Sequence, residues 1–109
     1  MQMAPDRGDV VWIDFDPQAG HEQAGRRPAI VLSPIYYNRR AGLALICPIT
    51  NKSKGYPFEV AIPTGQNVTG VILADQARNL DWKARNASPI TKLPFQVTEQ
   101  VLIKLRTLL

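Results

Sequence analysis

The sequence predicts a mainly β, α+β fold: a small antiparallel β-barrel with helices on its rim and a C-terminal amphipathic helix. Three observations lead there. Short β-branched and aromatic runs recur between residues 10 and 73, turn-forming Gly, Pro and Asn residues separate them, and helical apolar spacing begins only near Thr98. At 109 residues and 45% hydrophobic content, residues 1–109 are read as one domain with one core.

Val10 to Phe15, VVWIDF, forms the first run and stops at Asp16-Pro17; Pro28 to Leu32 opens the second. Between them PQAGHEQAGRR has two glycines and no helical apolar spacing, which predicts an exposed loop. Leu43 to Ile49 is a third strand closed by TNKSKG, Phe58 to Ile62 a fourth broken by Pro63-Thr64-Gly65, and Val71 to Leu73 a fifth. Leu80, Trp82 and Ala84 alternate with Asp81, Lys83 and Arg85, the pattern of a half-buried strand with Trp82 packed inward. The tail from Thr98 to Leu109 places Val101, Leu102, Leu105, Leu108 and Leu109 at three- and four-residue spacing, with Thr98 as the expected N-cap. No internal repeat, linker or low-complexity segment interrupts the chain.

Thirteen basic residues against nine acidic ones give a net charge of +4, which permits a nucleic-acid partner without requiring one. Cys47 is the single cysteine and lies in LALICPI, so it is read as a reduced core thiol. The N-terminus lacks the apolar segment of a secretory signal, and no apolar run nears the roughly 18 residues of a membrane span. A cytoplasmic protein with no membrane association is expected. Asp14, Asp16, Asp75 and Asp81 form no ligand-spaced cluster and His21 is the only histidine, so neither a metal nor another cofactor is expected. No phosphate-cradling glycine motif is present.

From Glu22 to Glu59 no acid intervenes, while Arg26, Arg27, Arg39, Arg40, Lys52 and Lys54 do. With donors at Ser33, Asn38, Thr50, Asn51 and Ser53 among them, the segment reads as a basic field suited to a polyanion. Arg26-Arg27-Pro28 sets two guanidinium groups at the entrance to the second strand, where alternation sends them to opposite faces. Either they are a solvated pair or one of them meets a phosphate, whose growing charge a planar, permanently protonated fork suits. Thr50 ends the third strand and has two roles open to it, turn formation and donation to a phosphate oxygen. Glu22 is the loop's carboxylate, able to orient an arginine or accept a proton, or simply exposed. Asp14 and Asp16 share a face of the first strand and are expected to bond neighbouring loops.

Taken together, GDVVWIDFDP, GHEQAGRRPAIVLSP, ITNKSKGYPFEV and GVILADQ, in that order from Gly8 to Arg85, resemble the MazF/PemK family of toxin endoribonucleases from bacterial toxin–antitoxin pairs. The resemblance implies an SH3-like barrel that forms a homodimer and cuts single-stranded RNA at short motifs without a metal. It also implies a mechanism: the ribose 2′-hydroxyl attacks the adjacent phosphorus to leave a 2′,3′-cyclic phosphate and a 5′-hydroxyl. The family's catalytic arginine falls on Arg27, its threonine on Thr50 and its loop glutamate on Glu22, whereas His21 and Arg26 stand where relatives differ. RNA is expected along the first loop, Lys52 to Tyr56 and Arg78 to Arg85, with Arg26, Asn38, Asn51, Lys52, Ser53, Lys54, Tyr56, Arg78 and Arg85 as binding residues. An antitoxin is expected to cover this groove with an acidic, disordered C-terminal segment. Two other readings remain: a CcdB-like gyrase poison of the same fold, disfavoured by the absence of any aromatic after Phe95, and a non-catalytic nucleic-acid-binding barrel.

Overall fold

A computed structural model describes residues 3–15 and 25–109. In chain order it contains β1 (Asp9–Asp14), β2 (Arg26–Val31), α1 (Ile35–Ala41), β3 (Ala44–Thr50), β4 (Glu59–Ala61), β5 (Val71–Leu73), β6 (Arg78–Leu80), β7 (Ser88–Lys92) and α2 (Phe95–Arg106). Every strand pairing is antiparallel, in the order β4-β5-β3-β2-β1-β7 with β6 also on β3. The expected mainly β barrel with a C-terminal helix is what the chain forms.

Strand β3 is the hub. Its residues Ile46 to Pro48 pair with β2, Ala44 to Ile46 with β6, and Ile49 and Thr50 with β5. Register then sorts the apolar side chains into two clusters. Val10, Ile30 and Cys47 are cross-strand partners and pack with Ile49, Val60 and Ile72 beneath Val97 and Val101 of α2. Val11, Ala29 and Ile46 fall on the other face, with Ile13, Phe15, Leu80 and Trp82. Both faces of β3 are therefore covered, which explains its unbroken apolar sequence, and a one-residue slip would exchange the two clusters. Cys47 is fully buried, and burial, helped by the Asp75 charge, pushes its thiol up to about 12. Among the described residues no helix is long and apolar enough to cross a membrane.

Several elements depart from the sequence expectations. Helix α2 starts at Phe95, because Pro94 occupies the N-cap position and its ring presets the first turn. Thr98, expected as the cap, is instead buried one turn inside, its hydroxyl without a hydrogen-bond partner. The strand expected through Ala84 ends at Leu80. Asp81 there accepts from the Ala84 and Arg85 amides and folds a turn, although Trp82 is packed as expected, its indole donating to the Asn38 carbonyl at 2.9 Å. Strand β7 was not expected, since Pro89 interrupts its pattern. It is an edge strand, and Pro89 lies beside a register shift in β1, the setting in which a strand tolerates proline.

Helices were expected on the rim but no residues were assigned to α1, and its position bears on one site residue. Asn38 is 0% exposed, so it cannot face RNA. Its amide donates to the carbonyls of Pro5 at 2.8 Å and Ser33 at 2.9 Å and accepts from the Ser33 hydroxyl at 2.5 Å. Asn38→Ala is expected to lower unfolding stability by about 2–4 kcal/mol in denaturant titration, while the folded fraction keeps its affinity for RNA. A loss of affinity without a loss of stability would return Asn38 to the binding surface.

Candidate functional site

The site is built where β3 ends. Thr50 pairs with Val71, Leu73 pairs with Glu59, and alternation puts the four side chains on one face of the β3–β5–β4 sheet, opposite the core residues Ile49, Val60 and Ile72. That face floors an open cavity of about 540 Å³, walled by Lys52, Lys54 and Tyr56 from the β3–β4 loop and by Asp75 and Gln76 after β5. Thr50 is 8% exposed and so is part of the floor rather than a solvated turn residue. Its Oγ1 accepts the Lys52 amide at 3.2 Å, leaving the hydroxyl proton available to a ligand.

Arg27 approaches from β2. The pairs Val31–Ile46, Ile30–Cys47 and Ala29–Pro48 step along β2 and β3; beyond Pro48 the β3 residues Ile49 and Thr50 pair with Ile72 and Val71 of β5, while Arg27 pairs with Ile13 of β1. Arg27 and Ala29 share a face, as do Thr50 and Pro48, and Ala29 pairs with Pro48, so alternation assigns Arg27 and Thr50 to the same side of the sheet near the same end of the β2–β3 pair. Arg26 takes the opposite face, as expected from alternation. It forms an ion pair with Asp14 and donates to the Ser88 hydroxyl, each at 3.1 Å. The Asn86 amide and Arg26 together hold the Asp14 carboxyl below its ordinary range.

The β3–β4 loop is held from inside the cavity. One oxygen of Glu59 accepts the Ser53 hydroxyl at 2.8 Å and the other the Lys54 amide at 2.9 Å, so the Glu59 carboxyl lies below its ordinary value. Tyr56 stands beside Phe58, ring centroids 5.8 Å apart, and its phenol is hydrogen-bonded to Asp75, whose adjacent negative charge pushes the phenol's pKa up. Asn51 accepts from the Thr69 hydroxyl at 2.9 Å. Arg78 and Arg85 are half-buried: Arg78 donates to the Phe15 carbonyl at 3.4 Å over the Phe15 ring, and Arg85 donates to the Asp14 carbonyl at 3.2 Å. They brace the end of β1. Glu22, His21 and Asp16 lie outside the described residues.

The basic field of the sequence is therefore divided in space. Arg39 and Arg40 ride on α1, where Arg39 lines a different cavity of about 550 Å³ with Trp82 and Lys83, and Glu59 and Asp75 bring negative charge into the groove of Lys52 and Lys54. Two cavities of nearly equal size differ in chemistry, and only the one at Thr50 combines a buried hydroxyl, lysines and an aromatic. The contributions of Glu59 and Asp75 were not legible beforehand, because acids after the end of a basic run give no sign that they fold back into it. Among the described residues no group of His, Cys, Asp and Glu side chains is arranged to hold a metal.

The chain is thus a small, helix-backed β-barrel whose open groove at the end of β3 presents two lysines and an aromatic to solvent. The sequence belongs to the PemK-like, MazF-like toxins of type II toxin–antitoxin systems, a family whose profile matches residues 6–109. It is 56% identical over 84 residues to the endoribonuclease toxin MazF of Escherichia coli K12, covering 77% of this chain and 75% of that protein. It is 35% identical over 108 residues to the Escherichia coli endoribonuclease PemK, covering 95% and 81%. The crystal structure of MazF from Deinococcus radiodurans superimposes with a TM-score of 0.95 at 51% identity, covering 98% of this chain and 97% of that one. A MazE–MazF structure from the same organism gives 0.87 at 45% identity, covering 98% and 96%.

Because the folded Glu59 carboxyl is depressed, its support of the Ser53–Lys54 loop is fully present above the ordinary value of 4.5 and is lost as pH falls through the lower folded value. The exchange protection factor at the Lys54 amide, measured relative to the intrinsic rate at each pH, should therefore fall on acidification below pH 4.5, and Glu59→Gln should abolish it at neutral pH. Unchanged protection in that variant would exclude Glu59 as the loop's anchor.

Proposed function

We propose that this chain is the toxin of a type II toxin–antitoxin pair and acts as a sequence-specific, metal-independent endoribonuclease on single-stranded RNA. The observation that carries the reading is the shared face and shared strand end of Arg27 and Thr50. The reaction needs no water. The 2′-oxygen bonds to phosphorus, the bond from phosphorus to the 5′-oxygen breaks, the 2′-proton leaves to a base and the 5′-oxygen gains one. The products are a 2′,3′-cyclic phosphate and a 5′-hydroxyl.

Arg27 neutralises the dianionic phosphorane and supplies a planar pair of donors to its oxygens. Thr50, its lone pair occupied by the Lys52 amide, donates its proton to a non-bridging oxygen. Glu22 contributes the carboxylate of the first loop. Lys52, Lys54 and Tyr56 offer a charged and aromatic track for unstacked nucleotides, with Asn51 and Ser53 beside it. The one domain, residues 1–109, works in the cytoplasm, where its mRNA substrate is found. An acidic, extended antitoxin segment laid over the lysines would silence it, in keeping with the solved MazE–MazF assemblies of relatives. Exposed Trp12, Tyr36 and Phe95 supply apolar surface for a homodimer.

In EDTA the purified protein should cut single-stranded RNA into fragments ending in cyclic phosphate, and a 2′-deoxy nucleotide at the cut should block it. Arg27→Ala and Thr50→Val should each slow cleavage by about 10²-fold or more with little change in melting temperature. Normal turnover by Arg27→Ala would remove that residue from the site; protection of RNA without cutting would mark a non-catalytic binder, and gyrase inhibition alone a topoisomerase poison.

A further inference from the structure

Thr50 is backed by a segment that does not line its cavity. Gly70 immediately precedes β5, and its backbone passes so near the end of β3 that a Cβ there would lie 2.3 Å from the Thr50 carbonyl oxygen and 2.9 Å from its carbon. No side chain fits in that space, and the φ of +115° at Gly70 is one that other residues rarely adopt. The preceding residue, Thr69, donates its hydroxyl to Asn51 Oδ1 at 2.9 Å. The Thr50–Asn51 unit is thus held by packing at Gly70 and by a hydrogen bond at Thr69. Gly70 is itself tied down, its carbonyl accepting the Ile62 amide at 3.1 Å.

The direction of the Thr50 hydroxyl depends on this backbone. Oγ1 is oriented by the Lys52 amide two residues on, so any shift or rotation of the 50–51 peptide re-aims the proton that Thr50 offers. We infer that Thr69 and Gly70 are positioning residues, a backstop that fixes the Thr50 hydroxyl against the scissile phosphate. The inference rests on the reading of Thr50 as a phosphate donor. It adds a second layer behind that donor, reached through main-chain packing rather than through contact with RNA.

The test uses single-stranded RNA oligonucleotides in EDTA, with kcat, KM and melting temperature measured for each variant. Thr69→Val removes the hydroxyl at nearly constant volume and should lower kcat by about 3- to 10-fold with KM within twofold and melting temperature nearly unchanged, while Thr69→Ser restores kcat. Gly70→Ala should cost about 10²-fold in kcat if it folds, as a displacement near 1 Å commonly does. The Thr69 variants carry the test where it does not. In a Thr50→Val background, Thr69→Val should add less than a twofold further loss, since it acts through the missing hydroxyl. An equal loss in both backgrounds, an effect confined to KM, or an unchanged kcat for Thr69→Val alongside a crippled Thr50→Val would overturn the inference. Full activity in Thr50→Val would instead remove the site reading beneath it.

Discussion

The pairing of β3 with β2 on one edge and with β5 and β6 on the other is the constraint on which the rest depends. A strand with apolar neighbours on both faces and partners on both edges has almost no freedom to slide, because every shift exposes apolar side chains and breaks ladder bonds. Where such a strand stops, the positions of its last side chains are set by the whole core. Thr50 is the last residue of β3, and Arg27 is the second residue of β2, the strand that pairs with β3. Residues from two strands far apart in the chain are thereby fixed near the same end of the sheet, while the loops around them are left to vary.

The groove is not simply positive. A strip of lysines alone would hold any polyanion by counterion release, with little discrimination. Here Glu59 is bound up in the Ser53 and Lys54 contacts and Asp75 in the Tyr56 hydroxyl, so negative charge stands among the lysines in fixed places.

Much of this was legible in the sequence. The apolar runs gave β1 to β5 because each is bounded by residues that cannot continue a strand, and Arg27 and Thr50 fall at the ends of two of them. Elements with weak or contradictory local signals were not legible. Helix α1 is seven residues of YYNRR-type sequence whose stability comes from Asn38 reaching back to Pro5 and Ser33, a long-range contact with no periodic signature. Strand β7 contains a proline that only its edge position excuses, and α2 takes its start from a proline where a threonine looked the better cap. In the site, alternation correctly separated Arg26 from Arg27, yet the basic run in the sequence concealed a division between the α1 surface and the groove. Sequence neighbours share a chain, not a surface.

Cys47 sits at the middle of β3, between the two edges that hold it. Burial holds that thiol in its protonated form, with the Ala74 carbonyl 3.9 Å from the sulfur. Peroxide, nitrosating agents and electrophiles have no purchase on the folded barrel through sulfur at this position. The central strand thus carries its thiol at a depth that solutes do not reach in the folded barrel.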